Sequence, residues 1–501
     1  MFQPIRRNLP PGLTPEVVFS KLCKLKGCIW LDSALKGDPR SEFSFLAADP
    51  IEQFVIREPQ ADPLGPIDHW LSKYRCNHSH PSESQYDSQI DPPFQGGVAG
   101  MLAYEFGRCF EKYPSATFDE LSTPLCTLGI YDVVFAWQHS SIDAAPQGCI
   151  YSQGYAGLHD PAPNELQRRK RAELRLQQFL DFLVDNSTNS FQSKPQTPKS
   201  NVQAMAHGLK APQFETRLGG GWLGNFDSQS YRAAVETAKE YIRAGDVFQV
   251  NLSQRLLCPA QCEASELALR LRQVNPAPFA GYFDLGEAQI VSASPERFLS
   301  VRNRCIETRP IKGTRRRTGN PSRDLELAKE LMQSEKDRSE NIMIVDLLRN
   351  DLSRICEVDS LCVDRLCEVE TFPFLLHLVS SIRGTLKANT SFSDVIAAVF
   401  PGGSITGAPK VRAMEIIAEL EPTIRGPYCG ALGYVTPNTS MDWNIAIRTI
   451  TSAMGWWQFQ VGGGIVADSN PALEEEETWT KAAGIVAAIR DSLQNKTSPL
   501  Q

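Results

Sequence analysis

The chain has 501 residues, too many for one ordinary core, and 42% are hydrophobic, enough for a well-buried globular protein of two domains or one large elaborated one. Its formal net charge of -7 argues against nucleic acid or an anionic membrane as the main partner, so the basic run Arg315–Arg317 is a local feature. Thirteen cysteines without a C-x-x-C pair or metal-ligand spacing, no apolar leader in "MFQPIRRNLPPGLTPEVVF", and no run near the roughly 18 apolar residues of a membrane helix together predict a soluble cytoplasmic protein.

In chain order, residues 1–183 read as strands and turns. "CIWLDSAL", "SFLAADPIEQFVI", "GGVAGMLAYEF" and "IYDVVFAWQ" are rich in β-branched and aromatic residues between Gly, Pro and Asp. This part closes with one helix, "ELQRRKRAELRLQQFLDFL", whose apolar positions recur at helical spacing. Residues 184–227 are predicted to be a linker, because the Ser-, Asn-, Pro- and Lys-rich stretch "VDNSTNSFQSKPQTPKSNVQ" cannot bury enough apolar area to order itself. A second domain, 228–495, opens with the helix "SYRAAVETAKEYIRAGD" and the strand "VFQVNLSQRL", then alternates strands and helices irregularly. No internal repeat is present.

Two later helices carry acids. In "SEKDRSENIMIVDLLRNDL", Ser334 is a candidate N-cap, and Asp337 and Glu340 share one face. In "NPALEEEETWTKAAGIVAAI", Asn470 is a good N-cap, Pro471 suits the first position, and Glu474, Glu477 and Lys481 share a face. Acids favour the first helical turn through the macrodipole, and two such pairs also permit an all-oxygen Mg²⁺ site; the spacing leaves both readings open. The segments "FPGGSITGAPK" and "FQVGGGIVADS" bring backbone N–H groups together as turns or anion cradles, although neither is a P-loop or G-x-G-x-x-G. Arg448 lies in the strand-like run "WNIAIRTI", where a half-buried guanidinium needs either an internal acid or a carboxylate ligand. Lys312 in "ETRPIKGTRRR" is either one more solvated cation or an amine driven out of its usual charge state.

Taken together, "VSASPERFL", "RPIKGTRRR", "EKDRSENIMIVDLLRNDL", "LLHLVSSIRG", "FPGGSITGAPKVRAMEII", "GPYCGALGY", "WNIAIRT" and "GGGIVADSNPALEEEET" resemble the chorismate-utilising enzymes in the family's order. "WLDSALKGDPRSEFSFLAADP" resembles their N-terminal domain more weakly. The resemblance implies an α+β fold, a large sandwich of antiparallel sheets flanked by helices, with the active site in a cleft between them. Anthranilate synthases typically carry Ala where this chain has Lys312, and the P-I-K-G-T form resembles the aminodeoxychorismate synthase branch, which aminates chorismate in 4-aminobenzoate and folate biosynthesis.

By this resemblance Glu296 matches the general acid and Lys312 the nucleophile. At an ordinary pKa of ~10.4 only about one lysine in a few thousand is neutral at pH 7, so a working Lys312 needs desolvation or nearby cations such as Arg315, Arg316 and Arg317. Glu340 and Glu477 match the principal Mg²⁺ ligands, with Asp337 and Glu474 beside them. Gly462, Gly464 and Lys481 match groups around the ring carboxylate, and Tyr428 and Arg448 those around the enolpyruvyl carboxylate. Gly313 and Thr314 match substrate-loop contacts, and His377 a histidine near the reacting centre or a structural one. Some relatives bind tryptophan between the domains; the matching positions are Ser33, Arg40, Ser41, Glu42, Phe43, Pro278, Phe279 and Ala280, which also suit an ordinary packed turn. The chain has no G-x-C-x-G glutaminase turn, so ammonia from glutamine would come from a separate amidotransferase subunit. It also has no pyridoxal-type lyase motif. An anthranilate synthase large subunit, an isochorismate or salicylate synthase, and a non-catalytic binding module are the competing readings.

Overall fold

The computed structural model describes residues 2–35, 37–38, 40–75, 91–139, 147–185, 208–371 and 375–494. Among these, two antiparallel sheets carry the fold, one of thirteen strands and one of ten. In the larger sheet the hairpin Phe279–Asp284/Ala288–Ser294 lies between Ile29–Asp32 on one side and Thr449–Ala453 on the other. Trp456–Ile465 and Gln249–Pro259 follow outward, joined by ten residue pairs from Val250↔Ile465 to Pro259↔Trp456. The smaller sheet runs from Ile311–Arg316 through Leu375–Thr385 and Arg297–Arg302 to Gly97–Leu102 and Glu52–Ile56.

The sheets face each other across a core of Phe45, Phe94, Met101, Tyr131, Phe283, Leu432 and Tyr434. Phe94 and Tyr434 stack at 4.5 Å between ring centres. The approach is close at Gly281, where a Cβ would lie 2.6 Å from Leu432 Cδ2 and 3.0 Å from the Trp30 carbonyl, so only glycine fits without a shift. Helices Pro15–Leu22, Glu165–Asp185, Ala264–Val274 and Pro471–Gln494 pack on the outer face of the larger sheet. Gly65–Tyr74, Glu335–Ser353 and Phe392–Val399 cover the smaller one. This is the expected α+β sandwich flanked by helices. No helix among the described residues is long and apolar enough to cross a membrane.

Two α-helices among the described part of residues 1–183 were not expected, nor was the short helical turn Tyr104–Cys109. Pro15–Leu22 begins at Thr14, whose hydroxyl accepts the Val17 amide, with Pro15 at its first position. Gly65–Tyr74 buries Ile67, Trp70, Leu71 and Tyr74 on one face. Both are short, eight and ten residues, so they show few turns of periodicity, and Val17, Val18 and Phe19 mimic a strand.

Segments 1–183 and 228–495 meet inside both sheets. Ile29–Asp32 pairs with Phe279–Asp284, and Gly97–Leu102 with Ala431–Val435. Of the expected linker, residues 186–207 lie outside the described ones. Its later part does not behave as a linker: Phe214–Glu215 and Leu223–Gly224 pair onto the edge of the larger sheet beside Gln249–Pro259. Backbone hydrogen bonding to an open strand edge orders this later part, which lies beyond the polar stretch on which the linker expectation rested.

Two of the places where the chain passes from one sheet to the other are neighbours. Pro295 and Glu296 link Ala288–Ser294 to Arg297–Arg302, and residues 445–448 link Met441–Asn444 to Thr449–Ala453. The crossings are tied together by Ile445 N donating to the Glu296 carbonyl at 3.0 Å and Ser294 Oγ donating to the Ile445 carbonyl at 2.6 Å. Beside them Asn444, buried, bridges the sheets: Nδ2 donates to the Phe279 carbonyl at 2.9 Å and Oδ1 accepts the Leu432 amide at 3.0 Å. Asn444→Ala strands both backbone groups and is expected to cost about 2–4 kcal/mol. Urea unfolding of the variant measures this, and a loss below about 0.5 kcal/mol would contradict the bridging role.

Candidate active site

A cavity of about 650 Å³ opens where the sheets diverge next to these crossings. Its walls come from Gln249–Pro259 and Trp456–Ile465 of the larger sheet, Ile311–Arg316 of the smaller, the N-terminal turns of helices Glu335–Ser353 and Pro471–Gln494, and the loops around 404 and 425–429. All fourteen residues expected at the catalytic, substrate and metal positions line this one cavity: Glu296, Lys312, Gly313, Thr314, Asp337, Glu340, His377, Tyr428, Arg448, Gly462, Gly464, Glu474, Glu477 and Lys481.

Lys312 sits on the strand Ile311–Arg316 immediately before a bulge. The register shifts there, so Lys312 faces Leu378 while Thr314 faces His377 on the partner strand. Gly313 makes the bulge possible: its φ is +75°, and a Cβ would come within 2.9 Å of Asp337 Cγ. The Lys312 amine donates to the Ser404 carbonyl at 3.2 Å, and Ser404 Oγ donates to Glu296 Oε1 at 3.0 Å. One residue thus touches both groups, and no hydrogen bond or ion pair joins Lys312 to Glu296 directly. Burial lowers the Lys312 pKa, and the positive Lys481 adds to this; the acids Glu340 and Glu296 oppose it. Burial raises Glu296 above the usual carboxylate range, against the pull of Lys312 and the Ser404 hydroxyl. Both groups are therefore moved toward their neutral forms.

The three arginines after Lys312 are not the cause. Arg315 pairs with Asp337 at 3.2 Å and Arg317 with Asp324 at 3.0 Å, and neither head is among the main charges acting on the lysine. Arg315 and Arg316 line the same cavity, yet neither is among the main charges acting on the amine.

The acidic helices begin as expected. Ser334 Oγ accepts the Asp337 amide at 3.3 Å, and Asn470 Oδ1 accepts the amides of Ala472 and Leu473. Burial, together with mutual repulsion among the acids, raises Glu340 and Glu474. Lys481 pairs with Glu477 at 2.6 Å and donates to the Gly462 carbonyl at 2.9 Å, while Glu474 accepts from Ser469 Oγ at 2.6 Å. Among the described residues no three His, Cys, Asp or Glu side chains are already gathered as a metal cage. The donor chemistry still suits a hard cation: four carboxylates from two helices line one wall, and two of them are destabilised by the others' charge.

Arg448 is not inside a strand. It ends the second crossing with φ +52°, one residue before Thr449–Ala453. Its guanidinium makes no hydrogen bond or ion pair with any described residue, and burial lowers its pKa. As to the two readings left open, no acid among the described residues pairs with Arg448 directly, Glu296 attracting it only at longer range, and a cation without an ion-pair partner faces the cavity. Burial lowers His377 to about 4, so it is a neutral imidazole at pH 7, its Nδ1 2.9 Å from Thr314 Oγ1. Gly462–Gly464 lie on the strand Trp456–Ile465, not in a loop. Close packing on Leu252, Ser253 and Gln249 accounts for Gly462 and Gly464, while a side chain on Gly463 would point at Glu474 and Glu477.

Sequence reading missed Ser404, Asn251 and Arg425. Ser404 was visible within "FPGGSITGAPK", but as part of an anion cradle; the segment is a short turn that presents this one serine. Lys410 of the same segment is structural, donating to Asp351 Oδ2 at 2.5 Å and to the Val399 carbonyl. Asn251 Nδ2 shares the Ser404 carbonyl at 3.2 Å.

A second cavity of about 340 Å³ lies on the far side of Pro295. Ser33, Arg40, Glu42, Phe43, Pro278, Phe279 and Ala280 line it, as expected of the effector positions. Ser41 does not: it is buried behind the wall, held by its amide donating to the Asp38 carbonyl. Arg40 pairs with Asp38 at 2.7 Å and also donates to the Pro295 carbonyl next to Glu296.

A family of chorismate binding enzymes matches residues 26–487. The chain belongs to that family. It is 36% identical to aminodeoxychorismate synthase component 1 of Escherichia coli K12 over 95% of this chain and 96% of the relative. It is 39% identical to anthranilate synthase component 1 of Thermus thermophilus over 97% and 98%. The crystal structure of anthranilate synthase component I from Streptococcus pneumoniae superimposes with a TM-score of 0.68, at 29% identity over 90% of this chain and 93% of that one. The menaquinone-specific isochorismate synthase of E. coli shares the fold at a TM-score of 0.68 and 16% identity, with 97% and 94% coverage.

The Ser404 contact yields a measurable shift. Ser404→Ala removes a donor that stabilises ionised Glu296, so Glu296 should lose its proton at a higher pH than in the parent. Infrared difference titration of the carboxyl band, with Glu296→Gln as the blank, reads this. A band ionising at the same or a lower pH would contradict the assignment.

Proposed function

We propose that the chain is the aminating subunit of an aminodeoxychorismate synthase, converting chorismate and ammonia to 4-amino-4-deoxychorismate and water in the cytoplasm. The observation that carries this reading is the Lys312 amine, half-buried on the cavity wall, displaced toward its neutral form and linked through Ser404 to a carboxyl group displaced toward its protonated form. A neutral amine is the nucleophile such chemistry requires, and hydroxide leaves only if an acid protonates it.

Lys312 attacks ring C2. The ring double bond shifts, and the 4-hydroxyl leaves as water with the proton of Glu296. Ammonia adds at C4, the double bond shifts back, and the lysine departs as the amine. The surplus proton on the new C–N nitrogen returns to Glu296, so the site is restored. Arg448 and Tyr428 hold the enolpyruvyl carboxylate; Gly462, Gly464 and Lys481 surround the ring carboxylate. Gly313 and Thr314 shape the loop over the ring, with neutral His377 beside it. Glu340 and Glu477 would hold Mg²⁺, with Asp337 and Glu474 beside it; bound there, the cation neutralises the ring carboxylate against the acidic wall. Ammonia is supplied by a separate glutamine amidotransferase subunit.

The 39% identity to the Thermus enzyme favours a second reading, an anthranilate synthase component. Lys312 speaks against it, because that branch typically carries Ala there. Purified protein with chorismate, ammonium and Mg²⁺ separates the two: 4-amino-4-deoxychorismate should form without anthranilate fluorescence, and omitting Mg²⁺ should stop it. Lys312→Ala should cut that product by at least about a hundredfold, the scale of a lost covalent catalyst. Anthranilate from the parent enzyme would install the second reading.

The second cavity is proposed to take tryptophan, its carboxylate and amine facing the charged side chains there and its indole against Phe279. Calorimetric titration should give one site per chain that Ser33→Trp blocks. No heat at millimolar tryptophan would retire the proposal.

A further inference from the structure

We infer that Glu105, supplied by the N-terminal segment, is a positioning residue for chorismate: its carboxylate fixes the backbone of the loop that presents Arg425 and Tyr428 to the cavity. This rests on the proposed role of Tyr428 as a carboxylate-holding group.

Glu105 lies in the short helix Tyr104–Cys109 and is 6% exposed. Oε1 accepts the Arg425 amide at 2.8 Å and Oε2 accepts the Gly426 amide at 2.9 Å. The Tyr104 amide donates to the Gly426 carbonyl at 2.8 Å, so three hydrogen bonds join this helix to two successive residues of the loop. The loop needs an external hold. Gly426 has φ +59° and Cys429 has φ +62°, and Tyr428 sits between these left-handed positions.

Arg425 passes the constraint on. Its guanidinium, 2% exposed, donates to both oxygens of Glu421, to the Ile405 carbonyl at 2.9 Å and to the Asn251 carbonyl at 2.8 Å. It also lies over the Tyr104 ring at 4.7 Å and the Tyr428 ring at 5.9 Å. Ile405 follows Ser404, and Asn251 shares the Ser404 carbonyl with Lys312. The same short helix abuts the segment leading to Ser404: a Cβ on Gly107 would stand 2.8 Å from Pro401 Cδ. A carboxylate is the only side chain of this size with two acceptors and no donor. An amide at 105 would face one of the two buried N–H groups with its own N–H.

Glu105→Gln keeps the volume and removes one acceptor. Burial pushes the Glu105 carboxyl up to about 7, so the comparison is made near pH ~8.5, where it is ionised in the parent. Chorismate binding is measured calorimetrically without ammonium, alongside steady-state turnover and thermal unfolding. Expected are a Kd and KM raised about tenfold, with kcat changed less than about threefold. Asp132→Asn is the control: this buried carboxylate, between the strands Cys126–Tyr131 and Val133–Gln138, pairs with Arg175 of the helix Glu165–Asp185, and its loss should lower Tm without moving Kd. If Glu105→Gln does not fold, Glu105→Asp, which keeps the acceptors but shortens their reach, should show the same rise in Kd to a smaller extent. An unchanged Kd in a folded Glu105 variant, or an equal rise in Asp132→Asn, overturns the inference. A parent enzyme that does not bind chorismate overturns the proposed function instead.

Discussion

An amine and a carboxyl group share one cavity, and the cavity penalises the charge on each. Left in contact they would exchange a proton and settle as an ion pair, lysine as a cation and glutamate as an anion, which is the useless state for attack and for protonating a leaving group. The fold prevents this by spacing. Ser404 stands between them, taking the lysine N–H on its carbonyl and giving its hydroxyl to the carboxylate. Each group is hydrogen-bonded, yet neither is given the other as its partner. Residual attraction still acts, since each carries a Coulombic contribution from the other, but burial is the larger influence on both.

This spacing depends on where the chain changes sheets. Glu296 and Arg448 are not placed by strands but by the two crossings, which are stitched side by side through Ser294, Glu296 and Ile445. A crossing residue can point along the gap between the sheets, which a strand residue facing up or down cannot do. Lys312 approaches from a strand of the smaller sheet, with the bulge at Gly313 setting its offset from Thr314. The proposed catalytic pair therefore joins a crossing residue to a strand residue of the smaller sheet.

What could be read from the sequence follows from this layout. The sandwich, the acidic helices and their caps were legible because they rest on local signals: β-branched runs, Ser334, Asn470 and Pro471 at cap positions. The candidate catalytic and binding positions were legible through short strings that match a family, not through pattern alone; composition left Lys312 and Arg448 ambiguous, and the structure places the Lys312 amine where burial lowers its pKa and leaves the Arg448 guanidinium without an ion pair among the described residues. Of the two causes the sequence left open for the altered lysine, burial is the larger, while the heads of Arg315 and Arg317 pair with Asp337 and Asp324. Ser404, Asn251 and Arg425 carried no signal of their own: a serine after two glycines and an arginine before Gly-Pro are common. The interleaving of 1–183 with 228–495 was also hidden, since pairing between strands about 250 residues apart leaves no mark on either.

The charges lining the cavity suggest why a dicarboxylate is the fitting occupant. At one end Arg448 is a cation without a partner among the described residues; at the other, Asp337, Glu340, Glu474 and Glu477 form an acidic wall with Lys481, Lys336 and Arg315 leaning on it. A carboxylate can approach the first end directly. It can approach the second only if a cation intervenes or the lysine releases its acid. Under the proposed function the two carboxylates of chorismate would be held by different physics, one by a guanidinium and one through a divalent ion, and that asymmetry would set which ring carbon faces Lys312.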